Sequence, residues 1–401
     1  MREKLLAVME ELKEIIAERE ELIELIAVAL LTGKNLFILG DTGQAKSYVI
    51  NEFRKRIDGA RQYERILSKQ TEEDALFGRI DLKSYIEGNP KIITKGKIPE
   101  SHIIFLDEIF KSNEGVLNTL LTVLNERRYT NEDITYDIPA ISFFSASNEI
   151  PDFKDPENEL LRPLFDRYEL KVLTHYIQDA DKRKNLLENS INNQSKHYVT
   201  NSFSIDELYI MKKQVEQVSI SSTIIDAVDE VLCELRRQGI HVSDRKFLNC
   251  IPVIKAKAWL DGREKAELSD LLVLVNYFWN KPEEISVIEA VLTKYCINPI
   301  KNQLEEIYLT AEELINEVKS DYGVMKDEGA LDIRQKARLF RKFREELLKL
   351  YVAVVELSDK TDIASDRAEC ERTVSSLEDM SKEIHGIMQF THVPLQELQY
   401  A

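Results

Sequence analysis

The residues with the most specific chemistry are the octet Gly40-Asp41-Thr42-Gly43-Gln44-Ala45-Lys46-Ser47. Its glycines let backbone N–H groups curl around a β-phosphate, and a helix opening at about Ala45 adds its positive dipole end. In that arrangement Lys46 bridges the β- and γ-phosphates. The Ser47 hydroxyl becomes a Mg²⁺ ligand, with waters and phosphate oxygens completing the octahedron. The usual last glycine of such a loop is Ala45 here, and alanine fits if its φ is negative. Downstream, Ile103-Ile104-Phe105-Leu106-Asp107-Glu108 is an apolar run ending in two carboxylates. At the tip of a parallel strand, Asp107 would organise Mg²⁺ through water and Glu108 would polarise the water attacking a γ-phosphate. A third apolar run, Ala140 to Asn148, places Asn148 to hydrogen-bond the γ-phosphate or the lytic water.

Such residues need strands to hold them. Asn35–Leu39 is a short apolar run bounded by turn residues, as expected of a buried parallel strand. After it come a helix from about Ala45, strands near Tyr63–Ser68 and Ile103–Leu106, a helix over Gly115–Glu126 and a strand over Ala140–Ser145. This alternation argues for a parallel sheet covered by helices on both faces. Arg127–Thr130 and Ile134–Ile138, turning through Asn131-Glu132-Asp133, read as a β-hairpin. Ahead of the sheet, Leu5, Met9, Leu12, Ile15 and Ile16 recur at helical spacing, and a second stretch from Glu20 to Leu31 stops at Thr32-Gly33. From about Val172 the β-signal fades. Residues 178–280 read as mostly helical, with Asn189–Ser195 as a loop.

A further boundary falls near Asn298-Pro299, after which no proline occurs before Pro394. Leu304, Ile307, Ala311, Leu314 and Val318 form one seam. Phe340, Phe343, Leu347, Leu350, Val354 and Leu357 form a second, and Cys370, Val374, Leu377, Ile384 and Ile387 a third. Steps of three and four residues are the a/d pattern of helices packed side by side. Three such helices, joined by Lys326-Asp327-Glu328-Gly329 and Ser358-Asp359-Lys360, make a bundle. The predicted domains are therefore 1–175, an α/β core with its N-terminal helix; 176–298, an all-α lid; and 299–401, a three-helix bundle.

Composition narrows the partners. The 401 residues carry 54 Lys and Arg against 71 Asp and Glu, and a net charge of −17 disfavours a dedicated nucleic-acid binder. The four cysteines are far apart and form no C-x-x-C, which speaks against zinc ribbons and disulfide frameworks. No apolar run approaches a membrane span. The start Met1-Arg2-Glu3-Lys4 lacks the apolar core of a signal peptide, so a cytoplasmic location is expected.

With these residues in hand, the chain resembles the AAA+ ATPases of the MoxR family, and most closely their RavA branch. The resemblance runs over Gly40–Ser47, Thr71–Gly78, Ile104–Lys111, Leu117–Leu121, Asn125-Glu126-Arg127 and Ala146–Glu149, then Leu164-Phe165-Asp166-Arg167 and Ser243-Asp244-Arg245. The fold it implies is an α/β AAA+ P-loop domain with a parallel sheet, an all-α lid and a C-terminal three-helix bundle. It also implies a homo-oligomeric ring, hexameric, that hydrolyses ATP with Mg²⁺ at subunit interfaces. On that resemblance Asn148 is sensor 1, Arg167 the arginine finger (with Arg162 its rival) and Arg245 sensor 2. Adenine would lie against Ile16-Ala17-Glu18. The insertions at Arg79–Ile98 and Arg127–Ile138 would occupy the family's pore-facing positions. The implied client is a protein, with a von Willebrand type A domain protein as the family's suggestion. Against this stand a nucleic-acid motor, which the net charge disfavours, and a nucleotide-gated scaffold without turnover, which the intact Lys46, Asp107, Glu108 and Arg167 disfavour.

Overall fold

A computed structural model describes residues 1–88, 91–131, 134–156, 158–191, 199–296, 299–327, 333–360 and 364–398. The chain forms two compact units, Met1–Cys296 and Ile297–Ala401.

The first unit is built on five parallel strands: β1 (Leu36–Leu39), β2 (Gln62–Ile66), β3 (Ile103–Asp107), β4 (Ser142–Ser147) and β5 (Leu170–Leu173). Their order across the sheet is β5-β1-β4-β3-β2. The three central strands β1, β4 and β3 are buried almost throughout, which is why they read as unbroken apolar runs. Two helices precede the sheet. In α1 (Arg2–Ile15), Leu5, Val8, Met9 and Leu12 form one buried stripe. By contrast, α2 (Glu20–Thr32) is apolar all round after its first turn and buried accordingly, and it ends on Gly33 at φ 72°. Arg56 locks α1 to α3 (Lys46–Lys55): its fully buried guanidinium meets Glu11 at 2.6 Å and Glu52 at 3.0 Å.

Helix α4 (Glu114–Glu126) links β3 to β4, and the short α5 (Arg162–Phe165) precedes β5. The predicted hairpin is present as antiparallel Arg128–Asn131 and Ile134–Asp137, while Glu132 and Asp133 of its turn lie outside the described residues. Arg79–Ile80 and Ile92–Ile93 form another small antiparallel pair, with a helical turn at Leu82–Ile86 between them. The predicted loop at Asn189–Ser195 is helix as far as Ile191, and Asn192–Ser195 lie outside the described residues.

Helical lid segments follow, among them α6 (Ser222–Arg237), α7 (Asp244–Leu248) and α8 (Ile251–Leu260). Phe203-Ser204 pairs in parallel with Ile57-Asp58, tying the start of this segment to the α/β layer.

The second unit contains α9 (Pro299–Asp327), α10 (Ile333–Lys360), α11 (Ala364–Ile387) and the short α12 (Leu395–Leu398). Residues 326–327 and 358–360, expected as connectors, are the last turns of α9 and α10, whereas 328–329 lie outside the described residues. The expected seams carry much of the core, including Leu304, Ala311, Val318, Phe343, Leu347, Val354, Cys370, Leu377 and Ile384. Three positions differ. Ile315, Tyr351 and Met388 are buried, their neighbours Leu314 and Leu350 only partly so, and Ile387 is exposed. A straight helix drifts against a strict heptad, which moves the buried position by one residue. Among the described residues no helix is long and apolar enough to cross a membrane.

Candidate active site

The phosphate loop leaves the C-terminal end of β1 and enters α3 at Lys46. Gly40 is held by the sheet, its N–H donating to the Ser147 carbonyl at 3.1 Å. A Cβ at Gly40 would collide with the Thr174 hydroxyl and the Gln44 side chain, so the loop needs glycine there. Gly43 has φ 82° and open space beside its Cα. Ala45 corrects the expectation of a negative φ: it sits at φ 59°, ψ 25°, the left-handed region. The chain needs that turn to bring the first N–H groups of α3 onto the loop, and alanine makes it at a steric cost.

Lys46 is buried, and its ammonium donates to the carbonyls of Gly40 and Asp41. Burial pulls its pKa below the usual lysine value, against the opposing fields of Asp107, Glu108 and Asp41. Ser47 is half-buried in the first turn of α3. Asp107 ends β3 and is paired in register with Ala146 of β4. Burial raises its pKa, while the Glu108 N–H, which donates to its Oδ1 at 3.0 Å, and the Lys46 charge pull the other way. Glu108 stands at φ 54°, a strained setting often found at functional positions. Its Oε2 lies 3.2 Å from Lys111 Nζ, close enough for an ion pair but not aligned as a hydrogen bond. Asn148 follows Ser147, the register partner of Leu39, and is exposed beside the loop.

Strand ends thus gather the octet, the acidic pair and Asn148. Their donor set fits a triphosphate with an oxygen-liganded divalent ion: an open glycine turn, a buried ammonium in the field of carboxylates, a hydroxyl in the first turn of α3 and a carboxylate at the tip of β3.

Two residues that sequence reasoning missed brace the loop. Arg19, buried between α1 and α2, donates to the carbonyls of Gln44 at 3.2 Å, Glu18 at 2.6 Å and His175 at 2.8 Å. The Thr174 hydroxyl donates to Gln44 Oε1 at 2.6 Å, and its N–H donates to the Leu39 carbonyl at 2.8 Å. An arginine between two helices and a threonine after a strand carry no motif, so nothing in the sequence singles them out. Ile16 lies in the core at 5% exposure, and the Glu18 carboxylate accepts the N–H groups of Gln178 and Asp179, both at 2.8 Å.

The arginines are elsewhere. Asn35, which precedes β1, donates from its side-chain amide to the Arg167 carbonyl at 2.8 Å, and Arg167 donates to the Pro163 carbonyl at 3.0 Å. Arg245, exposed on α7, donates to the side chain of Asn125 at the end of α4. Asn125 follows Leu124, whose carbonyl also meets Asn35. Both arginines therefore belong to the end of β1 opposite the phosphate loop. That strand has 4 residues, so about 13 Å separates its ends. Arg162, the rival finger, instead lines a cleft of about 840 Å³ beside the loop. The cleft meets the loop only at Gly40, Asp41 and Gln44, and its lining excludes Lys46, Ser47, Asp107 and Glu108, so it is a neighbour of the phosphate cradle.

A phosphate loop on β1, a carboxylate-tipped strand two places away, the order β5-β1-β4-β3-β2 and an appended helical lid define an AAA+ ATPase. A crystal structure from Cytophaga hutchinsonii shares this fold at a TM-score of 0.60 and 20% identity, over 73% of this chain and 94% of that one. Residues 3–213 match the family described as the MoxR domain in the MoxR-vWA-beta-propeller ternary systems, and residues 222–292 match an AAA lid domain. The chain belongs to the MoxR family of AAA+ ATPases. Two uncharacterised proteins of Methanocaldococcus jannaschii are similar to it. One is 30% identical over 95% of this chain and 96% of its own length, the other 34% over 79% and 80%.

Proposed function

We propose that this chain hydrolyses ATP as a ring-forming, RavA-like remodelling factor, hexameric and cytoplasmic, whose client is a protein with a von Willebrand type A domain. The observation that carries the reading is the separation of groups. The phosphate loop, Asp107, Glu108 and Asn148 share one end of the sheet, and Arg167 and Arg245 share the other. A site split in this way is complete only where two subunits meet, one offering its loop and the next its arginines.

Within one interface the residues divide the work. Gly40–Ala45 and Lys46 bind the triphosphate, and Ser47 and Asp107 hold Mg²⁺, which when bound screens charge on the phosphate oxygens. Asn148 orients the lytic water. Glu108 accepts its proton as the water oxygen bonds to the γ-phosphorus, the bond to the bridging oxygen breaks, and ADP and phosphate leave. Arg167 and Arg245 from the neighbour stabilise the charge on the transferred group. The core, lid and bundle boundaries at 175 and 298 belong to this reading, with adenine near Ile16–Glu18. The family description supports the client, because it names MoxR-vWA systems.

The test is turnover by the wild-type chain beside Glu108→Gln. The variant keeps every phosphate contact and loses the base, so ATP should bind while hydrolysis falls by about 10²-fold or more. Near wild-type turnover in Glu108→Gln would remove the assignment. Proteins retained by the ATP-loaded variant identify the client.

A further inference from the structure

Helix α4 ends on a residue that departs from the usual local rule. Arg127, just past Glu126, stands at φ 56°, ψ 35°, a left-handed setting that helix ends usually give to glycine. The side chain kept there is anchored at both ends of its guanidinium. Nη1 donates to the Leu124 carbonyl at 2.9 Å, and Nη2 to the Gly33 carbonyl at 3.2 Å and to Asn35 Oδ1 at 2.7 Å. The guanidinium also lies 4.8 Å from the centre of the Phe143 ring. Burial pulls its pKa down to about 10, well above neutrality, so Arg127 remains a cation that can only donate.

Asn35 carries those bonds onward. Its side chain is buried, and the two ends of its amide are chemically distinct. Oδ1 accepts from Arg127 and, at 3.3 Å, from the Phe143 N–H. Both partners are donors, so they fix the amide oxygen on their side and turn the NH₂ the other way. That NH₂ donates to the Arg167 carbonyl at 2.8 Å. A row of bonds thus runs from the Arg127 guanidinium, through one amide, to the backbone of Arg167. The segment is pinned again farther on, where the Asn35 N–H donates to Glu169 Oε2 at 3.3 Å and the Leu170 N–H to the Asn35 carbonyl at 3.1 Å. Neither of those bonds reaches Arg167 itself. With Arg127 gone, the longer Phe143 bond is left to orient the amide. A flipped amide sets its oxygen against the Arg167 carbonyl, acceptor against acceptor.

We propose that Arg127 is a positioning residue for hydrolysis, holding the backbone of Arg167 through Asn35 so that the Arg167 side chain reaches the neighbouring subunit. The inference rests on the reading of Arg167 as a finger that acts in trans.

The test is steady-state ATP hydrolysis by the full chain carrying Arg127→Gly. Glycine suits the left-handed backbone, so the variant loses the bonds without adding strain. Its kcat should fall by about tenfold or more, because a small misplacement of a reacting group is costly. KM for ATP should stay within about twofold, since the phosphate loop lies at the other end of β1. The decisive readout is the double variant with Arg167→Ala, its residual rate read from γ-labelled ATP. A residue that acts only through the finger adds nothing once the finger is gone, so the double variant should turn over as slowly as Arg167→Ala alone. Asn35→Asp keeps the acceptor for Arg127 and sets an acceptor against the Arg167 carbonyl. It should reproduce the kcat loss and the silence beside Arg167→Ala, and it stands in if Arg127→Gly does not fold. Wild-type kcat in either variant overturns the proposal. So does a double variant slower than Arg167→Ala by the full single-variant factor, which would make Arg127 a general support of the fold. The finger reading fails separately: wild-type turnover in Arg167→Ala removes it and this inference together, whereas slow Arg167→Ala beside unimpaired Arg127→Gly removes this inference alone.

Discussion

Ala45 and Glu108, at φ 59° and 54°, place two side-chain-bearing residues in the left-handed region on either side of the phosphate cradle. That conformation costs an L-residue about 1–2 kcal/mol, of which glycine's greater freedom in the unfolded chain takes back roughly 1. Ala45→Gly should therefore raise stability by at most about 1 kcal/mol, and the β-branched Ala45→Val should lower it by more than about 1, both read from urea midpoints. Asp107 exchanges stability for function in another way. Burial raises its pKa above that of the unfolded chain, so the unfolded state gives up the proton first and the native state loses stability as pH rises through that interval. Asp107→Asn keeps an acceptor for the Glu108 N–H and removes the charge. It should match wild type below the unfolded carboxylate pKa of about 4 and exceed it in stability near neutrality, while Mg²⁺-dependent turnover is lost. Equal stability at pH 7 would mean that the carboxylate carries no burial penalty.

Between elements, the phosphate loop is positioned by bonds that no motif announces. Thr174, just past β5, and Arg19, between α1 and α2, both hold Gln44. Thr174→Val keeps the shape of the side chain and removes its donor, at a cost of about 1 kcal/mol. The expected kinetic signature is a raised KM for ATP with a smaller effect on kcat, because the loop loses its resting geometry before its chemistry. An unchanged KM would show that Arg19 alone suffices. The same strand shows where the sequence stops being readable. The strands β3 and β4 are legible as apolar runs that end in a polar residue, and β1 as an apolar run bounded by turn residues. In β5, Leu170-Lys171-Val172-Leu173 hides a fully buried lysine, which breaks the pattern a buried strand is recognised by. Motif residues survive this because their types and order are specific. The side of the sheet on which Arg167 and Arg245 lie depends on crossovers and on one contact to Asn125, and neither leaves a periodic trace.

At the scale of the molecule, the two compact units divide at Cys296–Ile297, and every residue assigned to nucleotide chemistry falls in the first. Each unit has its own apolar cluster, so a chain ending at Cys296 should fold, bind ATP and keep basal hydrolysis within about tenfold, or 1.4 kcal/mol of barrier. A folded truncation that cannot bind ATP would put part of the site in the bundle. The arrangement of arginines makes a sharper demand. Asn35, before β1, touches the Arg167 carbonyl, whereas Lys46 lies beyond the other end of the same strand. On the proposed reading, a finger so placed would serve another copy of the chain. Lys46→Ala subunits lack a working loop and Arg167→Ala subunits lack a finger, so each protein alone should be nearly inactive. Equal mixing creates interfaces in which the intact loop of an Arg167→Ala subunit meets the intact Arg167 of a Lys46→Ala subunit. With random assembly about one interface in four is of this kind, and turnover should recover towards that fraction. Arg245→Ala in place of Arg167→Ala should complement in the same manner, because Arg245 shares that end of the sheet. Arg162→Ala should not, because Arg162 lines the cleft beside its own loop. No recovery from either mixture, with assembly verified by light scattering, would place the arginines outside the reaction.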